Sequence, residues 1–217
     1  LPAILAVVVY FWKDLWPFKA DRQETMARIG LWIKIVAAFI PAAIFGFLLD
    51  DFIEARLFNV PVVAAALFVG GIVLVALERR TPSNRMPTAR DIAARTAIWI
   101  GCFQCLAMIP GTSRSAATII GAMLLGTSRL AAAEFSFFLA IPTMMGATTL
   151  KLIKNGVAFT AEQWIAIAIG SIISFIVAYV VVAAFMNYIR RHDFKPFGYY
   201  RIALALVVLA VFVVCPL

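Results

Sequence analysis

One run of the chain, Pro110-Gly111-Thr112-Ser113-Arg114-Ser115-Ala116-Ala117-Thr118, gathers residue types that together could hold phosphate. Pro110 lacks an N–H and Gly111 is conformationally permissive, so an incoming helix stops there. A second helix starts near Ser113 or Ser115, and its unpaired N–H groups and positive dipole end point into the break. An anion is stabilised at such a position. The backbone freedom of Gly111 and the hydroxyls of Thr112, Ser113, Ser115 and Thr118 suit a cradle of donors for phosphate oxygens. Arg114 adds an always-charged planar fork matched to bidentate phosphate binding.

The competing reading is structural: Ser113 and Ser115 merely cap a helix, and Arg114 pairs with a carboxylate such as Glu134. An arginine at membrane depth costs roughly 2.5 kcal/mol or more unless compensated, and a recruited anion would compensate it. Arg129, after Gly126-Thr127-Ser128, either swings toward the site as a phosphate ligand or anchors the helix at an interface. Glu134 reads as a partner for Arg129 or Arg114 rather than as a general base. His192, the one histidine, lies between Arg191 and Asp193 and reads as solvated loop. Lys34 either snorkels or faces the interior. Cys102-Phe103-Gln104-Cys105 is a lone CxxC in an apolar run, and with Cys215 it makes neither a disulfide framework nor a zinc site. No nucleotide-binding loop or metal-ligand cluster occurs.

The elements that must position these residues are membrane helices. Of 217 residues, 64% are apolar and 14% charged, against roughly 45–50% and about 25% in soluble domains, which excludes a water-soluble globule. The net charge of +8 reads as basic cytoplasmic loops and calls for no nucleic-acid partner. Apolar stretches run Leu1 to Trp12, Ile29 to Leu49, Val60 to Leu77, Ala97 to Ile109, Ala116 to Leu125, Ala131 to Leu150, Trp164 to Tyr188 and Ile202 to Leu217. Ala97 to Ile109 and Ala116 to Leu125 are too short to span a bilayer. Joined through the Pro110 break, they read as a re-entrant helical hairpin whose irregular backbone is sheltered inside the protein.

Loop charge agrees. Arg79, Arg80, Arg85, Arg90 and Arg95 crowd one connection, Arg190, Arg191, Lys195 and Arg201 another, and Lys13, Lys19, Arg22 and Arg28 a third, so these are assigned to the cytoplasm. The loop with Asp50, Asp51, Glu54 and Arg56 then faces out. The spans Ala131 to Leu150 and Trp164 to Tyr188 already make one trip out and one back, so the segment between Thr96 and Arg129 must enter and leave on one side, as a re-entrant hairpin does and as two strongly compressed full spans would. A faint repeat at offsets of roughly 130 to 140 residues pairs Leu1-Pro2 with Ile141-Pro142, Trp32-Ile33 with Trp164-Ile165, and Val60 to Leu77 with Ile202 to Leu217. The matching loops lie on opposite sides, as in an inverted-topology repeat. The expected fold is therefore all-α: one polytopic membrane helical bundle over residues 1–217. Residues 1–78 are the remnant of a first repeat, and 96–217 a second repeat with its re-entrant hairpin at 96–129.

With these motifs in place, the sequence resembles the undecaprenyl-diphosphate phosphatase family, bacterial enzymes also known for conferring bacitracin resistance. The likeness is carried in order by Gly101-Cys102-Phe103-Gln104-Cys105-Leu106-Ala107, the Pro110 to Thr118 run, Gly126 with Ser128-Arg129, and Glu134-Phe135-Ser136-Phe137 through Pro142, and it covers essentially the whole chain. The resemblance implies hydrolysis of undecaprenyl diphosphate to undecaprenyl phosphate plus phosphate, recycling the lipid carrier of cell-wall synthesis in the bacterial inner membrane. It implies that Ser113, Arg114, Ser115 and Thr118 bind or attack the diphosphate, with Gly111, Thr112 and Arg129 as substrate-binding neighbours.

The resemblance also implies a divalent metal, Mg or Ca, for which this chain offers no identifiable ligands. The family's other signature, Glu-x-x-x-Glu followed by Pro-Val-Ser-Ser-Thr-Gly-His, is expected upstream of Leu1, so the chain is expected to be part of a longer protein. Ala116, often Gly in this motif, is a smaller departure. The rival functions are a polyprenyl-phosphate flippase, since broken helices meeting at the midplane suit transporters, and a fragment without activity.

Overall fold

The computed structural model describes residues 1–18, 21–79, 86–155 and 160–214. Of the charges assigned to loops above, Lys19, Arg80 and Arg85 lie outside the described residues, as does Cys215, and the side chains of Asp50, Asp51 and Glu54 are likewise not described. The described residues form α1 (Pro2–Tyr10), α2 (Trp12–Leu15), α3 (Arg22–Leu57), α4 (Val60–Arg79), α5 (Ala94–Gln104), α6 (Arg114–Leu124), α7 (Arg129–Asn155), α8 (Ala161–Ile189) and α9 (Lys195–Val214). Short 3-10 turns at Ala89–Asp91 and Cys105–Met108 lead into and out of α5. Five helices are long and apolar enough to cross a bilayer: Arg22–Leu49, Val60–Arg79, Arg129–Leu150, Glu162–Ile189 and Lys195–Val214. This is a multi-pass, all-helical membrane protein.

Local chemistry sets the helix starts. The Asp21 carboxylate accepts the Gln23 N–H at 3.0 Å, capping α3, and Thr160 forms a capping box with Gln163 ahead of α8. Both satisfy donors that a helix N-terminus otherwise leaves unpaired. The carbonyls freed at the end of α2 are taken by side chains of α3. Arg28 donates to Lys13 and Trp16, and Trp32 Nε1 donates to Leu15 at 2.9 Å. Lys34, for which the sequence left two readings, turns inward and donates to the Arg90 carbonyl at 2.9 Å.

α7 is the central helix. Half of its apolar window is buried, against 6% for α8. Phe135, Phe138 and Leu139 of α7 meet Phe11, Leu31 and Ile35 in the core, with Phe11 and Phe138 edge to face at 5.0 Å. α1 packs on α8, α3 on α7, and α4 on α9. The α4–α9 crossing is close because both helices present glycine. A Cβ on Gly71 would stand 2.8 Å from the Gly198 carbonyl, and one on Gly198 would stand 2.5 Å from Val75. Small residues at such crossings let backbones approach where lipid supplies no hydrophobic drive.

The two short apolar stretches form α5 and α6, packed side by side and against the α3 and α4 helices. At 11 residues each they rise only about 16 Å, too little to cross the roughly 30 Å hydrocarbon layer.

Candidate functional site at the hairpin break

Between α5 and α6 the backbone reverses over Ile109 to Ser113. Gly111 sits at φ +88°, and a Cβ there would meet the Val63 carbonyl at 2.5 Å, so both conformation and space demand glycine. Ser113 also has positive φ, +66°, a conformation uncommon for a side-chain-bearing residue and often found at functional sites. It is the N-cap of α6, its Oγ accepting the Ala116 N–H at 3.5 Å. The Arg114 and Ser115 N–H groups then head the helix with its positive dipole end. The Ser113 and Ser115 hydroxyls are both exposed and stand 3.3 Å apart.

Both hydroxyls open on a cavity of about 300 Å³, with Phe185, Phe194 and Phe197 among its apolar lining. The charged side chain lining this cavity is Arg201 of α9, which loop-charge counting had placed with the cytoplasmic residues. Arg201 lies in the second turn of α9, is only 7% exposed, and reaches across α4 to the hairpin. Its Nη2 sits among three carbonyls, donating to Thr112 at 2.9 Å, Gly111 at 3.0 Å and Ala66 at 3.3 Å. The break frees the Gly111 and Thr112 carbonyls, and a guanidinium answers them. Its Nε is buried with no hydrogen-bond partner among the described residues. The signal available in the sequence was an arginine directly abutting the apolar run that begins at Ile202.

The remaining expected residues separate by what their side chains touch. Arg114 turns away from Ser113 toward α7, where Nη1 donates to the Ser136 carbonyl at 3.1 Å. Among the described residues it forms no ion pair with Glu134. Thr118, expected to donate to phosphate, is fully buried. Its hydroxyl bonds the Arg114 and Ser115 carbonyls one turn back and Ser136 Oγ at 2.7 Å, fastening the first turn of α6 to α7. Thr112 contributes its carbonyl to the Arg201 clamp.

Arg129, expected as a substrate ligand, is paired within the chain. Its Nε donates to both oxygens of the buried Glu78 carboxylate at 2.8 and 2.9 Å, and Nη2 adds a third contact. Glu78 also accepts the Phe194 N–H at 3.0 Å, so one carboxylate ties the end of α4 to the starts of α7 and α9. Nearby, the Asp193 carboxyl is held below the usual carboxylate range by the Lys195 ammonium, 2.8 Å away. His192 is exposed and stacks on Tyr188 at 4.4 Å.

Among the described residues no group of three or more His, Cys, Asp or Glu side chains could hold a metal ion, and the charged side chains around the break are cations. The described residues do not by themselves fit a divalent metal. What the cavity presents is two exposed hydroxyls, a helix N-terminus and the Arg201 guanidinium, groups of the kind that bind anions.

A family profile described as bacitracin resistance protein BacA matches residues 1–207. Undecaprenyl-diphosphatase 1 of Clostridioides difficile (strain 630) is 50% identical over 212 residues, covering 97% of this chain and 77% of its own length. An undecaprenyl-diphosphatase of Fusobacterium nucleatum is 52% identical over 214 residues, 96% of this chain and 80% of its own, and one of Enterococcus faecalis is 45% identical over 217 residues, 97% and 79%. The chain belongs to the bacitracin resistance protein BacA family.

Proposed function

We propose that this member of the BacA family removes the terminal phosphate of undecaprenyl diphosphate, releasing undecaprenyl phosphate and inorganic phosphate, as the names of its relatives describe for them. The observation that carries the reading is the Arg201 guanidinium beside the exposed Ser113 and Ser115 hydroxyls in one cavity, where it meets carbonyls and no carboxylate among the described residues. A diphosphate supplies the missing countercharge.

In this reading the phosphate oxygens accept from the Ser113 and Ser115 hydroxyls and from the N–H groups heading α6. As the bridging P–O bond lengthens, charge grows on the departing lipid phosphate and on the phosphoryl oxygens, and Arg201 and the helix dipole stabilise it without reorganising. The water oxygen ends on inorganic phosphate. No carboxylate lines the cavity, so these residues contribute charge neutralisation and orientation rather than proton transfer. Ser113 stands either as donor or as nucleophile.

The α5–α6 pair is read as a re-entrant hairpin, inserted from the side that carries the Arg79 and Arg190 loops. The reciprocal packing of α1 on α8 and α3 on α7 supports the inverted repeat. The location is the bacterial cytoplasmic membrane, where a lipid-carrier diphosphate arises.

The test is phosphate release from undecaprenyl diphosphate by the purified protein in detergent, with and without added Mg or Ca. Release that requires the protein supports the reading. Binding of the lipid with no phosphate released overturns it in favour of a carrier.

A further inference from the structure

We propose that the apolar groove between α4 and the α5–α6 hairpin is the seat of the substrate's polyprenyl chain, an inference that rests on the phosphatase reading above. The groove has a volume of about 470 Å³. From α4 it takes Val62, Ala65, Ala66, Val69, Gly70 and Val73, spaced as one helical stripe at i, i+3, i+4, i+7, i+8 and i+11. From the hairpin come Leu106, Ile120 and Leu124 among others. No charged side chain lines it. Its reach along α4 is about 16 Å at 1.5 Å per residue, enough to follow a single extended chain.

What assigns the occupant is where the groove meets the polar site. Three of its lining residues are the ones Arg201 touches: Ala66 and Thr112 through their carbonyls, and Gly70, where an added Cβ would stand 2.6 Å from Arg201 Nη2. Arg201 in turn lines the cavity of Ser113 and Ser115. The buried guanidinium with its unpartnered Nε therefore stands at the junction, the polar cavity on one side and the hydrocarbon groove on the other. An amphiphile with a diphosphate head and one long apolar chain matches both halves at once. A larger apolar cavity, about 820 Å³ between α1–α2 and α3, shares no lining residue with either half of this arrangement, so size alone does not select the groove. Gly70 is the hinge of the assignment, because its missing side chain leaves room for Arg201 to cross α4.

The experiment compares Ala65→Phe and Val69→Trp, which fill the groove, with Ile33→Trp, which fills the other cavity, using the full coding sequence in detergent. The readout is the ratio of kcat/KM on undecaprenyl diphosphate to that on dimethylallyl diphosphate, whose single isoprene unit is too short to fill the groove. The groove variants are expected to lower this ratio about tenfold, the usual size of a steric change in an apolar pocket, with Ile33→Trp leaving it at the wild-type value. A ratio unchanged by both groove variants, or changed equally by Ile33→Trp, overturns the assignment.

A second measurement does not depend on those variants folding well. A benzophenone side chain introduced at position 69 should crosslink radiolabelled undecaprenyl phosphate, and excess unlabelled undecaprenyl phosphate should compete while phospholipid does not. Equal competition by phospholipid means that ordinary membrane lipid fills the groove and sinks the proposal. Absence of phosphate release from either diphosphate by the unmodified protein would instead strike the phosphatase reading itself, and the crosslink would still report on the groove.

Discussion

Two arginines sit at helix junctions of this protein, and they are used in opposite ways. Arg129 meets Glu78 through both carboxylate oxygens, and the same carboxylate takes the Phe194 N–H. Its charge is matched within the chain. Arg201 meets only carbonyl oxygens, which offer dipoles and no countercharge, and its Nε is left over. Burying a cation without an anion is unfavourable, and Arg201 lines the cavity on which two exposed hydroxyls open. The contrast teaches that an arginine's role follows from its partner and not from its place in a motif. Arg129 lies in a motif and is structural, whereas Arg201 lies outside the Pro110 to Thr118 run and faces the cavity.

Substitutions can break this contrast. The largest effect is expected for Arg201→Ala, which removes the cavity's cation: phosphate release should fall by about 10²–10³, as for loss of one preorganised electrostatic donor, with circular dichroism unchanged. Near-normal turnover would place Arg201 with Arg129 as a structural residue. Next is Glu78→Ala, which strands Arg129 and the Phe194 N–H. It should cost about 1–3 kcal/mol of stability, the range for leaving a buried hydrogen-bonding group unsatisfied, since the stranded Arg129 is itself partly exposed. The measurement is chemical denaturation in detergent, and loss of activity at full stability would show that the junction belongs to the site.

The smallest effect sharpens the comparison at an exposed, locally paired acid. Asp91 has its pKa lowered, mainly by the Thr88 hydroxyl bond at 2.6 Å and then by the Thr88 N–H. A depressed folded value means that the contribution is fully present above the ordinary aspartate value of 3.8 and fades as pH falls through the lower folded value. Thr88→Val should flatten the difference in thermal midpoint between pH 3 and pH 6 slightly while leaving phosphate release unaltered. An unchanged pH dependence would show that the capping box contributes nothing measurable.

Much of the fold could be read directly from residue order. Apolar run lengths separate the long helices from the two short ones, because hydrocarbon thickness demands a minimum number of residues per crossing. Pro110 and Gly111 announce the break because one lacks a donor and the other tolerates positive φ. Ser113 as the helix cap follows from the affinity of hydroxyls for the first N–H groups. The protein partners of Thr118 and Arg129 were not legible in residue order for a shared reason: a hydroxyl or guanidinium can satisfy protein or ligand equally well. Which it meets depends on a neighbour far along the chain, Ser136 for one and Glu78 for the other.

Linear order by itself thus determined the solvent this protein lives in, the division of its helices into long and short, and the break between α5 and α6, since these follow from hydropathy, backbone sterics and local hydrogen bonding. Only the tertiary structure decided which side chains face the cavity. The close α4–α9 crossing at Gly71 and Gly198 carries Arg201 to carbonyls 89 and 90 residues away in sequence, a meeting set by packing, which no local spacing encodes.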